Sequence, residues 1–222
     1  MARTYPLDLP SFWDLIAADT SGIGKFTLGE SRQINISGGG QLIDASLGAR
    51  LWTCDVSLVP KAHHAMSAIE AQVEVLLEAG ASFLAYDPRK QYPAADRFGT
   101  VLASSLVTLT TVNANNRDIR FSGLPAGYVL TPGDMFSFTY LSGPTRYALH
   151  RIVVGDTATS AGVAMVEVTP PFRAGFTIGD PMIFGKPRML AKIVPGSYRP
   201  PSGGPGKLSS GLNFTLTQSL RP

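Results

Sequence analysis

Short runs of alternating apolar and polar residues follow one another along most of this chain. In the first half they are Lys25 to Leu28, Arg32 to Ser37 (with Ile34 and Ile36 on one face), Gln41 to Ala45 and Ser82 to Tyr86. Leu51 to Val59 is the strongest strand signal of that half. In the second half they are Thr100 to Thr111, Arg117 to Ser122, Met135 to Tyr140, Arg146 to Val154, Val163 to Thr169, Met182 to Phe184, Arg188 to Val194 and Gly211 to Leu220. A period of two places successive side chains on opposite faces of a strand, so alternation this plain predicts antiparallel sheets with one wet face. The runs are bounded by turn residues. Gly38-Gly39-Gly40, Asn113 to Asn116, Pro132-Gly133 and Gly179-Asp180 supply the preset φ or the positive φ that tight turns require. From Phe121 to Arg188 this spacing is that of short antiparallel strands forming a small barrel or sandwich.

One segment breaks the period. Between Pro60 and Glu78, Ala62, Met66, Ile69, Val73, Leu76 and Leu77 recur at spacings of three and four, with Glu70, Glu74 and Glu78 along the other side. This predicts a helix over residues 61–78, with Pro60 suiting the first turn and Gly80 the C-terminal cap. The glutamate column repels itself unless cations or solvent face it. Near the N-terminus, Ser11 with Asp14 resembles a helix cap, followed by Phe12, Trp13 and Ile16 packed inward as a single short helix or turn.

The expected fold is mainly β: a β-sandwich with one packed helix, interrupted by an inserted small β-barrel or sandwich module. Residues 1–99 and 187–222 would form the sandwich and residues 100–186 the insert. Two polar, turn-rich segments lie outside the strands, Asp87 to Arg97 and the Gly/Pro/Ser-rich stretch Pro195 to Ser210.

Composition changes this picture in one respect. Of 222 residues only 16% are charged while 44% are hydrophobic, against about 25% charged in typical domains. That points to surface covered by other chains, with oligomerisation as the simplest cause; a β-rich monomer rich in Ser and Thr on its outer faces is the alternative. The net charge of +3 is too small to announce a nucleic-acid binder. It is unevenly spread. Lys186, Arg188, Lys192, Arg199, Lys207 and Arg221 follow the last acidic residue, Asp180, so the final 42 residues carry +6 and the rest −3. Such an arm can meet an acidic neighbour, passing DNA phosphates or solvent. The lone Cys54 excludes an intrachain disulfide and reads as a small buried hydrophobe. No signal peptide or membrane-spanning run is evident, so a soluble protein made in the cytoplasm is expected, without membrane contact.

Catalytic signatures are missing. His63 and His64 are neighbours on a helix and point about 100° apart, which suits no shared metal. His150 lies in an alternating strand and reads as a sheet residue bonded to backbone. Pro201 to Leu208 imitates the end of a phosphate loop but lacks its first Gly and its Ser or Thr. Gly22-Ile-Gly24 does not continue as a dinucleotide fingerprint. No enzyme activity, cofactor or metal is expected.

A resemblance is carried by Gly123 to Asp134, Met135 to Phe138, Arg146 to Val153, Glu167 to Gly175 and Ile178 to Phe184, and more loosely by Gly48 to Trp52 and Gly80 to Asp96. These stretches resemble the all-β module and the helix-bearing N-terminal domain of distal tail proteins of long-tailed bacteriophages. The resemblance implies a structural virion protein at the phage tail tip, a homo-hexameric ring joining tail tube protein to tail hub or fibre proteins, with DNA passing transiently through its lumen. It further implies that the N-terminal sandwich lines the channel and that the module faces outward or toward neighbouring tail proteins. Candidate inter-subunit contacts lie in the two polar segments: Arg89, Lys90 and Arg97 in one, Tyr198, Arg199 and Lys207 in the other. Two other readings stand beside it. A monomeric carbohydrate-binding module of a tail tip would use exposed Tyr86, Tyr92 and Tyr140, and another minor tail or hub protein would share the module.

Overall fold

The computed structural model describes residues 5–7, 13, 14, 16, 23–141, 143–204 and 206–221. Its strands in chain order are β1 (Ile23–Leu28), β2 (Arg32–Ile36), β3 (Leu42–Ser46), β4 (Trp52–Ser57), β5 (Lys61–Ala62), β6 (Phe83–Ala85), β7 (Thr108–Val112), β8 (Asp118–Ser122) and β9 (Val129–Leu130). There follow β10 (Met135–Tyr140), β11 (Arg146–Val154), β12 (Asp156–Thr157), β13 (Ala164–Thr169), β14 (Met189–Ile193), β15 (Ser202–Gly203), β16 (Leu208–Ser210) and β17 (Asn213–Gln218). The helix α1 (His63–Leu76) lies between β5 and β6.

The fold is mainly β, with several sheets. Early and late strands interleave in one five-stranded sheet, ordered β1-β4-β17-β14-β6, and the middle of the chain makes a second, ordered β10-β11-β13-β8-β7. The register follows the apolar alternation. In β4, Trp52, Cys54 and Val56 point inward beside Phe214 and Leu216 of β17, while Asp55 and Ser57 face out. Trp13, Ile16 and the buried stripe of α1 (Met66, Ile69, Val73, Leu76) complete this first core. A second core, around Phe121, Phe136, Phe138, Ile152, Val166 and Val168, fills the other sheet. Full burial of one such side chain contributes about 1.5–3 kcal/mol, so these two clusters dominate stability. The second sheet does not close into a barrel. Its edge strands meet the segment 181–183 only through single bridges, Thr108 with Pro181 and Ser137 with Ile183.

The two cores meet at a polar seam. Met135 and Leu149 of the second sheet are buried in the first core. Trp52 Nε1 donates to the Leu149 carbonyl at 3.0 Å, and the Arg151 guanidinium lies 4.7 Å above the Trp52 ring. The buried Asp134 carboxylate accepts from Ala94 N–H at 2.9 Å, and Arg188 N–H donates to Ser137 Oγ at 3.0 Å.

Three local expectations are corrected. The helix begins at His63, because Lys61 and Ala62 are extended and paired with β16. Pro60 therefore precedes a strand, and the first helical N–H, that of His63, is satisfied by the Lys207 carbonyl at 3.2 Å rather than by a capping side chain. At the other end the helix stops at Leu76, with Leu77 rather than Gly80 as its C-cap, and Gly80, at a left-handed φ of 84°, lies in the following turn that Ala81 N–H closes onto the Glu78 carbonyl at 3.1 Å. Residues 100–107 are bends, a turn and irregular chain, not strand. The Asp96 carboxylate accepts the N–H groups of Thr100, Val101 and Leu102 at 2.9, 3.0 and 2.9 Å, and three donors curled around one carboxylate cannot join a ladder. The stretch from Pro195 to Ser210 holds the hairpin β15–β16, laid against β5 in a three-stranded sheet. Leu208 is mostly exposed, whereas Tyr198 packs on the first core. Of the N-terminal helix, Trp13 and Ile16 are buried, and Ser11 and Phe12 lie outside the described residues.

Candidate functional site

The largest departure from a closed globular surface is the hairpin β2–β3. Its register pairs Ile36 with Leu42, Ile34 with Asp44, Arg32 with Ser46 and Asn35 with Ile43. Facing pairs share a side, so Ile34, Ile36 and Leu42 form one apolar face, with Arg32 and Asp44 bridged at its base at 3.3 Å. The alternation predicts that such a face is covered. It is not: Ile34, Ile36, Leu42 and Ile43 are 45%, 74%, 69% and 57% exposed, and all ten strand residues are exposed on both sides. The turn is well formed, with Ser37 N–H bonded to the Gln41 carbonyl and Gly40 at a φ of 79°. An isolated two-stranded ribbon is at best marginally stable in water, and exposed contiguous apolar surface marks a contact site. The hairpin leaves directly from β1, an edge strand of the first sheet.

The residues expected to make inter-subunit contacts separate into two groups. Arg89 is committed within the chain: its guanidinium is bidentate on Asp87, at 3.1 Å for both bonds, and also donates to the Phe26 carbonyl at 3.2 Å. Lys90 and Arg97 are exposed around an open concavity of about 390 Å³ shared with Gln91, Tyr92 and Pro93. Tyr198 is half-buried, and burial, with Glu70 and Glu74 nearby, raises the pKa of its phenol. Arg199 is exposed and its backbone pairs with Asn213. Lys207 is exposed near the tip of the β15–β16 hairpin. Sequence reasoning missed the apolar face of β2–β3 as a contact surface; Leu42 beside Ile43, apolar on both faces of one strand, was its only local signal.

Two of the three histidines, His63 and His150, have structural partners. His150 Nδ1 donates to the Pro170 carbonyl at 2.7 Å, and its ring sits among Phe136, Phe138 and Phe172. Burial pushes its pKa down to about 4. His63 Nε2 lies 2.6 Å from the Gly206 carbonyl and Nδ1 2.5 Å from Ser209 Oγ, which pins the β15–β16 hairpin to the helix start. Gly203 is required there, since a Cβ would stand 2.7 Å from the His63 ring. Burial raises the Cys54 thiol to about 12, which leaves it protonated and inert at neutral pH. Among the described residues no group of three or more His, Cys, Asp or Glu is placed to hold a metal ion, and no helix is long and apolar enough to cross a membrane. Tyr86 and Tyr140 are buried, so neither serves an exposed sugar-stacking platform.

No protein-family model matches this chain, and no curated protein does.

Proposed function

We propose that this chain is a structural virion protein: the subunit of a distal tail ring that connects the tail tube of a siphophage to its tail-tip hub. The observation that carries the reading is the β2–β3 hairpin, whose apolar face is built by regular pairing and then left uncovered by its own chain. A neighbouring subunit covers it, and the arm of that subunit covers the next, so a heterologous contact repeats around a closed ring. The edge strand β1 at the root of the arm offers unpaired backbone of the kind that invites pairing from another chain. Low surface charge and the resemblance of residues 121–188 to the distal tail module support the same reading, and that resemblance sets the expected number of subunits at six. The burial of Tyr86 and Tyr140 counts against the carbohydrate-binding alternative. Light scattering on the purified chain, with negative-stain images, tests the proposal. A discrete ring near six subunits supports it, and a chain that stays monomeric at its highest soluble concentration overturns it.

A further inference from the structure

A second pair of surfaces lies away from the hairpin, and the two members match each other. The first is the C-terminal end of α1. No basic residue occupies its last turn, so the negative end of the helix dipole is not offset by its own side chains. Glu74, in that last turn, and Glu78, in the turn just after the helix, are both exposed. Leu77, 43% exposed, lies beside them. Within the chain, Glu78 accepts the Tyr5 hydroxyl at 3.3 Å, and Glu74 lies near the Tyr198 phenol. The second surface is the loop that ends in Phe98, which is 83% exposed. Arg97 immediately precedes it and lines one concavity with Lys90, and among the described residues neither cation forms an ion pair within the chain, in contrast to Arg89 on Asp87. This loop is held in shape: besides the three N–H groups on the Asp96 carboxylate, Gly99 N–H closes onto the Asp96 carbonyl at 3.0 Å. An exposed aromatic next to an arginine is of the composition enriched at protein interfaces.

The helix end leads into β6, and the basic loop follows it. Repeated head-to-tail between successive copies, a contact between the two surfaces closes a ring.

We infer that the carboxylates of Glu74 and Glu78, with Leu77, receive Lys90, Arg97 and Phe98 of a second copy of this chain. Two carboxylates and an exposed aliphatic side chain meet two cations and an exposed aromatic one. Both members belong to one sequence, which makes the second copy the partner. The inference rests on the reading of the chain as a ring subunit, and it assigns a contact distinct from the hairpin arm.

Charge exchange tests it. Sedimentation velocity is run on the full chain, on Glu74→Lys/Glu78→Lys, on Lys90→Glu/Arg97→Glu, on an equimolar mixture of the two variants, and on the chain carrying all four changes. Thermal melts confirm that each variant folds. Each double variant alone sets like charges against each other and weakens assembly about tenfold or more, whereas the mixture and the four-fold variant recover to within about threefold of the original chain. Raising salt from about 0.05 to about 0.5 M weakens assembly of the original chain but not its melting temperature. Double variants that assemble like the original overturn this contact while leaving the ring intact. Weakening that neither the mixture nor the four-fold variant restores also overturns it, because the charges then do not face each other. An original chain that is monomeric overturns both this contact and the ring.

Discussion

Replacing Ile36 and Leu42 together by Asp separates the two roles that an apolar hairpin can have. The two side chains face each other across β2 and β3 and are 74% and 69% exposed. Only about a quarter to a third of each is covered by its own chain. At about 1.5–3 kcal/mol for full burial of such a side chain, folding loses less than about 1 kcal/mol per site. In a chain of this size that lowers the melting temperature by about 2–7 °C for the pair. Assembly loses the larger remainder. Covering the exposed fraction of both side chains contributes roughly 2–4 kcal/mol per interface, and a desolvated carboxylate adds to the deficit. That is a weakening of about 30-fold to 1,000-fold in each subunit contact. Sedimentation velocity and thermal melting on the same samples read the two quantities. Asn35→Asp, on the other face of the hairpin, is the control expected to assemble nearly as the original does. A doubly substituted chain that still forms the ring would show that the apolar face is not a subunit contact. A melt that falls by 10 °C or more would be equally damaging, since it would place the hairpin in the chain's own core.

Three further outcomes are expected. Trp52→Phe removes the bond to the Leu149 carbonyl at the seam and costs about 2–3 kcal/mol in denaturant unfolding, still with one cooperative transition; loss of less than about 0.5 kcal/mol would show that the seam is not coupled through this residue. His150, 3% exposed, has its pKa lowered to about 4 against an ordinary value near 6.5. Between those values the unfolded chain binds the extra proton, so stability is complete above about pH 6.5 and falls by about 3 kcal/mol as pH drops to about 4; an imidazole NMR titration midpoint near 6.5 would refute the burial argument. Gly123→Ala sets a Cβ 2.2 Å from the Leu106 carbonyl oxygen at a φ of 86° and is expected to cost about 2 kcal/mol or more, measured by thermal melting; an unchanged melting temperature would mean that the 106–107 backbone yields freely.

Much of the secondary structure was legible because it rests on local periods. Trp52, Cys54 and Val56 alternate with Thr53, Asp55 and Ser57, and that pattern alone orients the strand. Met66, Ile69, Val73 and Leu76 recur at helical spacing, and that alone selects the buried face of α1. Cys54 and His150 were legible as interior residues from their neighbours in such runs. Residues 100–107 were not legible as irregular chain, because their apolar content suits a strand and only the Asp96 carboxylate, drawing three backbone donors to itself, forbids the ladder. Arg89 was grouped with Lys90 as exposed charge, although Asp87 two residues earlier was a visible partner. Whether that pair closes depends on Asp87 being buried at the end of β6, which no local pattern encodes.

The hairpin draws the boundary most clearly. The sequence by itself determined that Ile34 and Ile36 share a face, and that three glycines follow to turn the chain back. Alternation reports the side of a strand on which a residue lies. Whether a second layer lies against that side depends on elements far away in the chain. The tertiary structure carries β4, β17, β14 and β6 away into a sheet with its own helix and leaves β2 and β3 uncovered. The same apolar alternation that makes β4 a core strand therefore makes β2 and β3 an outward surface, because burial is a property of the whole packing and the pattern of one strand is not.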